Sequence, residues 1–392
     1  MPAVLAPSAA RTLLEGVIIP AHPLVITPDG TLDERRQRAL TRYYLDAGAG
    51  GLALGVHTTQ FGIRAAGLLE PVLRLAAEEA AANAGRMRAA SAGRMRAASA
   101  DRARVDVGRV PAADEDAANR PAVRGSVPVL VAGVAGGTAE AVREAGLAAS
   151  LGYDLAMPIL RGLDHLSDPE LITHLAEIGE VLPLCGFYLQ PAVGGRILGV
   201  DFWREAAKLP ALRAVKIAPF DRYRTIDVVR AVCESGRADE IALYTGNDDN
   251  ILIDLLTEFS VPVEGRPVTK RIVGGLLGQT AVWTHRAVDL LRRAHEAAGS
   301  GRVDAGLLTL AARLTDANAA VFDVAHGFAG CIAGVHEVLR RQGLLTEVRL
   351  LDPAEGLSPG QAEELDRVIA AYPELVDDEF VARHRDAWLG TA

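Results

Sequence analysis

Lys216 is the residue of this sequence best suited to covalent chemistry. It lies between Val215 and Ile217 in an apolar run that predicts a β-strand. Burial of an ammonium group is costly and lowers its pKa, and the resulting free amine can attack a carbonyl carbon. Only three of the 41 basic residues are lysines, and arginine could not serve here because a guanidinium supplies no free amine. The alternative is an inward lysine held by an ion pair.

Tyr188 closes the preceding predicted strand, where its hydroxyl would reach the lysine. Neighbouring strand ends lie about 5 Å apart, so the phenol could relay protons at a carbon bound to the amine. A core tyrosine with a satisfied hydroxyl is an equal alternative. Thr58 and Thr59 follow the second predicted strand, where two hydroxyls beside turn N–H groups could hold a carboxylate. That signal is weak by itself, since Thr-Thr turns are common.

A third polar segment follows the seventh predicted strand. Gly246 would let a ligand approach the backbone, and Asp248 and Asp249 come directly after it. An acidic pair could bind a divalent cation. Capping of the next helix is the better default for these residues.

The elements that must position these residues alternate over the first two-thirds of the chain. Short runs that are apolar on both faces, as in helix-covered parallel strands, are separated by helical stretches. The strands are predicted at Val17–Ile19, Leu52–Val56, Val127–Val134, Leu155–Met157, Leu182–Leu189, Ala214–Ile217, Ile241–Tyr244 and Ile272–Leu276. Eight βα units predict an α/β fold, the (β/α)8 TIM barrel. A doubly wound open sheet is the alternative, because periodicity does not reveal closure.

After about Trp283 only helices are predicted. They are expected at Ala287–Ala298, Ala305–Thr315, Ala317–Gln342 and Pro359–Ala371. The chain therefore divides into a barrel over residues 1–282 and a C-terminal helical subdomain over residues 283–392. Residues 84–99 hold a tandem repeat of AGRMRAAS inside an Ala- and Arg-rich insertion at about 84–125. This segment is either a basic arm or a low-complexity insertion at the face of the barrel away from the chemistry, and we favour the second.

Charge and cysteine usage exclude several classes of protein. A net charge of −9 argues against nucleic acid as a partner, because phosphate binding needs a basic face. Three scattered cysteines give neither a disulfide framework nor a zinc motif, which fits the reducing cytoplasm. The first residues do not have the pattern of a secretory signal, and no apolar run reaches the length of a membrane span. We therefore expect a cytoplasmic protein that does not bind membranes.

Taken together, the motifs resemble the dihydrodipicolinate synthase/N-acetylneuraminate lyase family of class I aldolases. The resemblance covers about residues 16–375 and rests on the order and spacing of the motifs. It is carried by the opening Gly16–Asp33, the Thr-Thr segment Gly48–Gln60, the strands within Val127–Met157, the segment Phe187–Pro191, the pair Val215-Lys216, the turn Tyr244–Asp249 and the closing helices Gly343–Tyr372.

The resemblance implies a Schiff-base lyase or aldolase that acts on a pyruvate-type 2-oxo acid without metal or other cofactor. Lys216 would form the Schiff base and Tyr188 would shuttle protons. Thr58 would link that tyrosine to solvent or substrate. Thr59 would hold the carboxylate, and Gly246 would line the pocket. Members of the family are commonly tetrameric, so a homo-oligomer (tetramer or dimer) is also implied.

The sequence departs from the family where the distal part of the substrate binds. The family's G-T-T-G-E has become His57–Phe61, the tyrosine pair after the fourth strand is absent, and Val193 stands where lysine-pathway synthases have an arginine. Lysine biosynthesis is therefore not expected. Residues predicted to bind the distal part of a polar substrate are His22, His57, His165 and Arg161, with Arg196 as a further candidate. The spacing of the three histidines fits no metal-ligand pattern.

Two alternatives stay open at this point. One is a Schiff-base dehydratase or hydrolase of a sugar-derived 2-oxo acid that uses the same lysine. The other is a catalytically silent member of the family that binds a small carboxylate.

Overall fold

The computed structural model describes residues 2–102 and 127–390. Nine strands occur in these ranges. They are β1 (Ile18–Pro20), β2 (Gly51–Leu54), β3 (Val129–Val134), β4 (Leu155–Pro158), β5 (Leu184–Leu189), β6 (Leu212–Ala218), β7 (Ala242–Thr245), β8 (Glu258–Val263) and β9 (Arg266–Leu277).

Eight of these strands form a parallel barrel. The hydrogen-bonded order is β1-β9-β7-β6-β5-β4-β3-β2. The ring closes between β1 and β2, where Ala21 bridges Ala53 in parallel and the His22 N–H donates to the Ala53 carbonyl at 2.8 Å. The predicted (β/α)8 TIM barrel is therefore confirmed, and the open-sheet alternative is wrong.

Thirteen α-helices occur in the described residues. They are α1 (Pro7–Glu15), α2 (Glu34–Asp46), α3 (Leu69–Arg102), α4 (Thr138–Ser150), α5 (Asp168–Gly179), α6 (Val200–Lys208), α7 (Arg222–Glu234), α8 (Ile251–Leu256), α9 (Thr284–Ser300), α10 (Ala305–Val321), α11 (Cys331–Arg341), α12 (Gln361–Ala371) and α13 (Asp378–Gly390). None of the helices in these ranges is long and apolar enough to cross a membrane. The repeat at residues 84–99 lies in α3, and residues 103–125 of the predicted insertion lie outside the described residues.

The apolar core has two layers, one on each side of the barrel wall. Inward side chains such as Ile19, Val131 and Met157 fill the lumen, and α1 closes its lower end with Leu13. Outward side chains pack against the surrounding helices in a second, larger cluster. Because side chains alternate along a strand, the face on which a residue lies decides whether it can reach the lumen.

Strand β8 was not predicted from the sequence. It pairs antiparallel with the first half of β9 through a turn at Glu264 and Gly265, both with positive φ. Its residues alternate between exposed and half-buried, which is the pattern of a strand with one solvent-exposed face. Pro262 and the short length concealed that alternation in the sequence.

The prediction of one helix over Ala317–Gln342 is wrong. Helix α10 ends at Val321 and α11 begins at Cys331. Between them Asp323 adopts φ 56°, and its carboxylate accepts hydrogen bonds from the Gly330 N–H at 2.9 Å and from the Ser358 hydroxyl. The break turns Phe322, Phe328 and Cys331 toward the mouth of the barrel.

Candidate active site

Lys216 lies on the inner face of β6 at the upper end of the lumen. Its strand neighbours Ala214 and Ala218 belong to the lumen cluster, whereas Val215 and Ile217 face the helices. Only 7% of Lys216 is exposed, and its Nζ lies 4.4 Å from the centre of the Phe187 ring. Among the described residues, Nζ has neither a hydrogen bond nor an ion pair. The sequence alternative of a lysine held by an ion pair is therefore wrong.

The surroundings of Lys216 favour its neutral amine. Burial lowers its pKa to about 8, and the negative charge of Asp248 only partly opposes that effect. An amine with this pKa is neutral in about a tenth of the molecules at pH 7, far more than for an ordinary lysine. It can therefore attack a carbonyl carbon without a dedicated base.

Gly246 provides the space that the lysine side chain occupies. A Cβ atom at this position would lie 2.8 Å from Cε of Lys216 and 2.7 Å from Cβ of Ala218. Both distances are shorter than real Cβ contacts. The residue type at the end of β7 is therefore set by the neighbouring lysine rather than by a turn.

Asp248 lines the same cavity as Lys216. Its Oδ1 is buried and has no hydrogen-bond partner among the described residues. Burial raises the pKa of this carboxyl to about 7 despite the attraction of Lys216. The default expectation that Asp248 caps the next helix is wrong, because Asn250 occupies the N-cap position of α8 and no side chain bonds there.

Thr58 and Thr59 brace the turn after β2. Thr58 lines the cavity, and its hydroxyl donates to the Ala21 carbonyl at 2.7 Å. Thr59 is fully buried, donates to the His22 carbonyl at 2.8 Å and accepts from the Val56 N–H at 3.3 Å. The predicted use of the Thr59 hydroxyl to hold a carboxylate is wrong, because both of its bonds are internal. The first N–H groups of this 3-10 turn, those of His57 and Thr58, have no partner within it.

The predicted position of Tyr188 beside Lys216 is wrong. In the register of β5 and β6 Phe187 lies opposite Lys216, and Tyr188 lies opposite the outward Ile217. Tyr188 is fully buried under α6, where its ring packs 5.6 Å from that of Trp203 and its hydroxyl accepts from the Leu198 N–H at 3.2 Å. The predicted link between Thr58 and Tyr188 is therefore absent as well.

The three histidines lie in different environments. His22 is fully buried, with hydrogen bonds to Gln37, Thr41 and the Pro23 carbonyl, and burial lowers its pKa to about 4. It supports the barrel wall, so its predicted substrate contact is wrong. His165 is exposed and lines none of the cavities described here. His57 does line the Lys216 cavity, and burial with the nearby positive charges of Lys216 and Arg161 lowers its pKa to about 4. No group of three metal-ligating side chains occurs within residues 2–102 and 127–390.

A second cavity, here called the vestibule, opens above the Lys216 cavity and shares His57 and Val193 with it. Its remaining lining residues are Gln60, Phe61, Gly62, Arg161, Ala192, Gly194, Ile332, Leu351, Asp352 and Glu355. Arg161 lies 5.3 Å from the Phe61 ring centre and forms no ion pair within the described ranges. Arg196 lies elsewhere, donating to the Leu163 and Leu166 carbonyls, so it braces the loop after β4.

Sequence reasoning missed the roof of the site. Phe220, Phe322, Phe328 and Cys331 line the Lys216 cavity, as does Gln190 after β5. The rings of Phe220 and Phe328 meet at 5.7 Å, joining the barrel to the α10–α11 loop. No local pattern marks these residues, because they meet only when the C-terminal helices fold back over the barrel. The resulting apolar chamber contains a free amine and a free carboxyl, which suits imine formation with a carbonyl compound.

No protein-family model and no curated protein matches the sequence. Solved structures do match. A dihydrodipicolinate synthase from Oceanobacillus iheyensis is 15% identical with a TM-score of 0.66, covering 93% of this chain and 99% of that one. YagE from E. coli K12, described as a prophage protein of the dihydrodipicolinic acid synthase family in complex with pyruvate, is 18% identical with a TM-score of 0.63, over 92% and 98%.

An N-acetylneuraminate lyase from Fusobacterium nucleatum, complexed with pyruvate, gives a TM-score of 0.63 at 15% identity, again over 92% and 98% of the two chains. At these identities the likeness concerns the fold. This chain has the barrel fold of the dihydrodipicolinate synthase and N-acetylneuraminate lyase structures.

Proposed function

We propose that the protein is a Schiff-base lyase or aldolase that cleaves or forms a C–C bond of a pyruvate-type 2-oxo acid. The observation that carries the proposal is the unpartnered Lys216 amine, which is buried at the upper end of a closed barrel with its pKa lowered to about 8. The pyruvate complexes of two proteins with the same fold support the substrate class. No cofactor is required, because the protonated imine itself accepts the electron pair released at C3.

The cavity has a place for each part of such a substrate. The carbonyl carbon would lie at Nζ of Lys216, and the carboxylate would accept from the free N–H groups of His57 and Thr58. The distal part would extend past His57 into the vestibule, where Arg161 supplies a cation. Gly246 would border the reacting carbon. His165 would have to move to contribute, since it lies outside both cavities.

Borohydride trapping tests this proposal. Pyruvate with borohydride should add one reduced pyruvyl group to the protein. Because the chain has only three lysines, Lys208, Lys216 and Lys270, peptide mapping identifies the modified residue without ambiguity. The variants Lys216→Ala and Lys216→Arg should give no adduct, whereas Lys208→Arg, which alters an exposed residue, should behave like the wild type.

The absence of an adduct with any 2-oxo acid would reject the enzymatic proposal and leave a silent carboxylate-binding protein. The outward position of Tyr188 makes that alternative a specific one, because the expected proton shuttle does not reach the lysine. If an adduct forms, product analysis with aldol and with 3-deoxy or hydroxylated 2-oxo acids separates a lyase from a dehydratase or hydrolase. A homo-oligomeric assembly and a cytoplasmic location stay predictions.

A further inference from the structure

The cavity around Lys216 needs a group that can move protons, and Tyr188 does not supply it. Imine formation requires a proton for the departing hydroxyl of the carbinolamine, and enamine formation requires a base at C3. The register of β5 and β6 places the inert ring of Phe187 where a phenol would face the amine. Some other side chain in the chamber must therefore carry these protons if the proposed function holds.

Four titratable or hydroxyl-bearing side chains near the amine are unsuited to the proton transfers. Thr58 already donates its only hydroxyl proton to the Ala21 carbonyl. Tyr244 bonds to the Leu13 carbonyl at the lower end of the lumen. Burial raises the pKa of Cys331 far above neutrality, so its thiol is a poor acid. His57 has its pKa lowered to about 4, so near pH 7 it is not the acidic imidazolium and is only a weak base.

Asp248, unlike the four side chains above, places an unpartnered acidic group in the cavity. It lines the chamber together with Lys216 and Gly246, and the lack of a Cβ at Gly246 leaves room for the lysine side chain. Its Oδ1 is buried and unpartnered, whereas its backbone is fixed by the Asn318 side-chain amide, which donates to the Asp248 carbonyl at 2.7 Å. The nearby charged or titratable groups are Lys216, Asp249 and Cys331. Lys216 and Asp248 form no ion pair, so Nζ of the lysine and Oδ1 of the aspartate can both meet a ligand, while the backbone of Gln279 interacts with the same carboxyl.

We infer that Asp248 is the proton-transfer residue of the Schiff-base reaction, in place of a tyrosine. The inference rests on the proposed function. In the first step the Asp248 carboxylic acid gives its proton to the carbinolamine hydroxyl as the C–O bond breaks, which releases water and leaves the iminium and a carboxylate. In the second step that carboxylate removes a proton from C3, the C–H electron pair forms the enamine double bond, and the carboxylic acid is regenerated.

The protonation equilibrium of the Asp248 carboxyl supports both steps. Burial raises the pKa of Asp248 to about 7, so the acid and the carboxylate are both populated near neutral pH. Proton transfer is most effective when the pKa of the donor lies close to the working pH. A carboxyl with an ordinary pKa of 3.8 would be almost fully ionised there and could not act as the acid.

Exchange of the pyruvate methyl protons with D2O, followed by NMR, tests the inference. The exchange reports enamine formation and needs no knowledge of the second substrate. In Asp248→Asn we expect the exchange rate to fall by about 10²- to 10⁴-fold, the usual contribution of a general acid–base group. Long incubation with borohydride should still modify Lys216, and Asp248→Glu should recover part of the rate. The matched control is Asp201→Asn, at an exposed carboxylate on α6, with unchanged exchange.

The pH profile adds a measurement that a purely structural role would not move. In the wild type the exchange rate should fall as the pH rises above about 7, because Asp248 is then ionised and cannot give its proton to the carbinolamine, and Asp248→Asn should lose that limb. Wild-type exchange in a folded Asp248→Asn variant would overturn the inference while leaving Lys216 chemistry intact, as would a wild type that is trapped by borohydride but shows no exchange. A wild type that is never trapped would overturn the proposed function and this inference together.

Discussion

Phe187 and Lys216 lie directly opposite each other on β5 and β6, with Nζ of the lysine 4.4 Å from the centre of the ring. The ring excludes water from one side of the amine, which contributes to the burial that lowers the lysine pKa. The pairing also determines the direction in which the side chain of the next residue points. Since side chains alternate, Tyr188 must face the helices.

Tyr188→Phe tests this assignment of faces. The substitution removes the acceptor for the Leu198 N–H and leaves a buried donor unpaired, at a cost of about 1 to 3 kcal/mol in the free energy of unfolding. The rate of borohydride trapping with pyruvate should change by no more than about twofold. Denaturant unfolding and trapping kinetics measure the two effects. A fall in trapping of the size expected of a lost acid–base group would place the hydroxyl in the lumen after all.

Gly246→Ala should damage the site and the fold together. The added methyl overlaps Cε of Lys216 and Cβ of Ala218, so the lysine must move or the strand must shift. Overpacking of this kind costs about 1 to 3 kcal/mol, and displacement of the amine should slow trapping by at least about tenfold. In the matched control, Gly146→Ala in α4, nothing lies within 4 Å of the new methyl, so trapping should be unaffected. Equal behaviour of the two variants would contradict the proposed crowding at Gly246.

Lys216→Met should make the folded state more stable at neutral pH. The lysine pKa is about 8 in the folded protein against 10.5 for the free group, so the unfolded chain binds more protons between these values and wild-type stability rises with pH across that window. Below about pH 8 the full cost of the buried amine is present. It is about 3 kcal/mol.

The measurement compares urea unfolding of the wild type and Lys216→Met at pH 7 and at pH 10.5. The stabilisation seen at pH 7 should largely disappear at pH 10.5, where the amine is neutral in the folded state and already half deprotonated in the unfolded chain. Lys208→Met, at an exposed lysine, should show no such pH-dependent difference. A constant difference at both values would mean that Lys216 is not buried as described.

Arg161→Ala should distinguish a ligand that occupies only the Lys216 cavity from one that also extends into the vestibule. Arg161 lines the vestibule and not the Lys216 cavity, so trapping of pyruvate should be unchanged, whereas 2-oxoglutarate carries a second carboxylate that would meet the guanidinium. Loss of one charge-assisted hydrogen bond, worth about 1.5 kcal/mol or more, predicts roughly tenfold slower trapping of 2-oxoglutarate at subsaturating concentration. Glu355→Gln removes a nearby negative charge and should act in the opposite direction. Equal effects on the trapping of both acids would contradict the proposal that Arg161 binds the distal part of the substrate.

The sequence by itself determined the barrel and the position of the amine. Eight apolar runs at βα spacing leave few ways to bury strands on both faces, and a lysine between valine and isoleucine in such a run must either face the lumen or disrupt the wall. The small residue at 246 is explained by that same lysine, although only the distances in the folded chain show it.

Tertiary structure alone decided which polar groups meet the amine. A register irregularity leaves Arg213 as an extra residue of β6, because Leu184 pairs with Leu212 but Cys185 pairs with Ala214, and a shift of one residue exchanges the lumen and helix sides of the rest of that strand. Phe187 therefore faces Lys216, and Tyr188 does not. Asp248 could be interpreted as a helix cap in the sequence because local patterns do not report which side chains lack partners. Only the folded chain, in which the closed barrel and the α10–α11 loop surround Asp248, shows that its Oδ1 has no hydrogen-bond partner among the described residues.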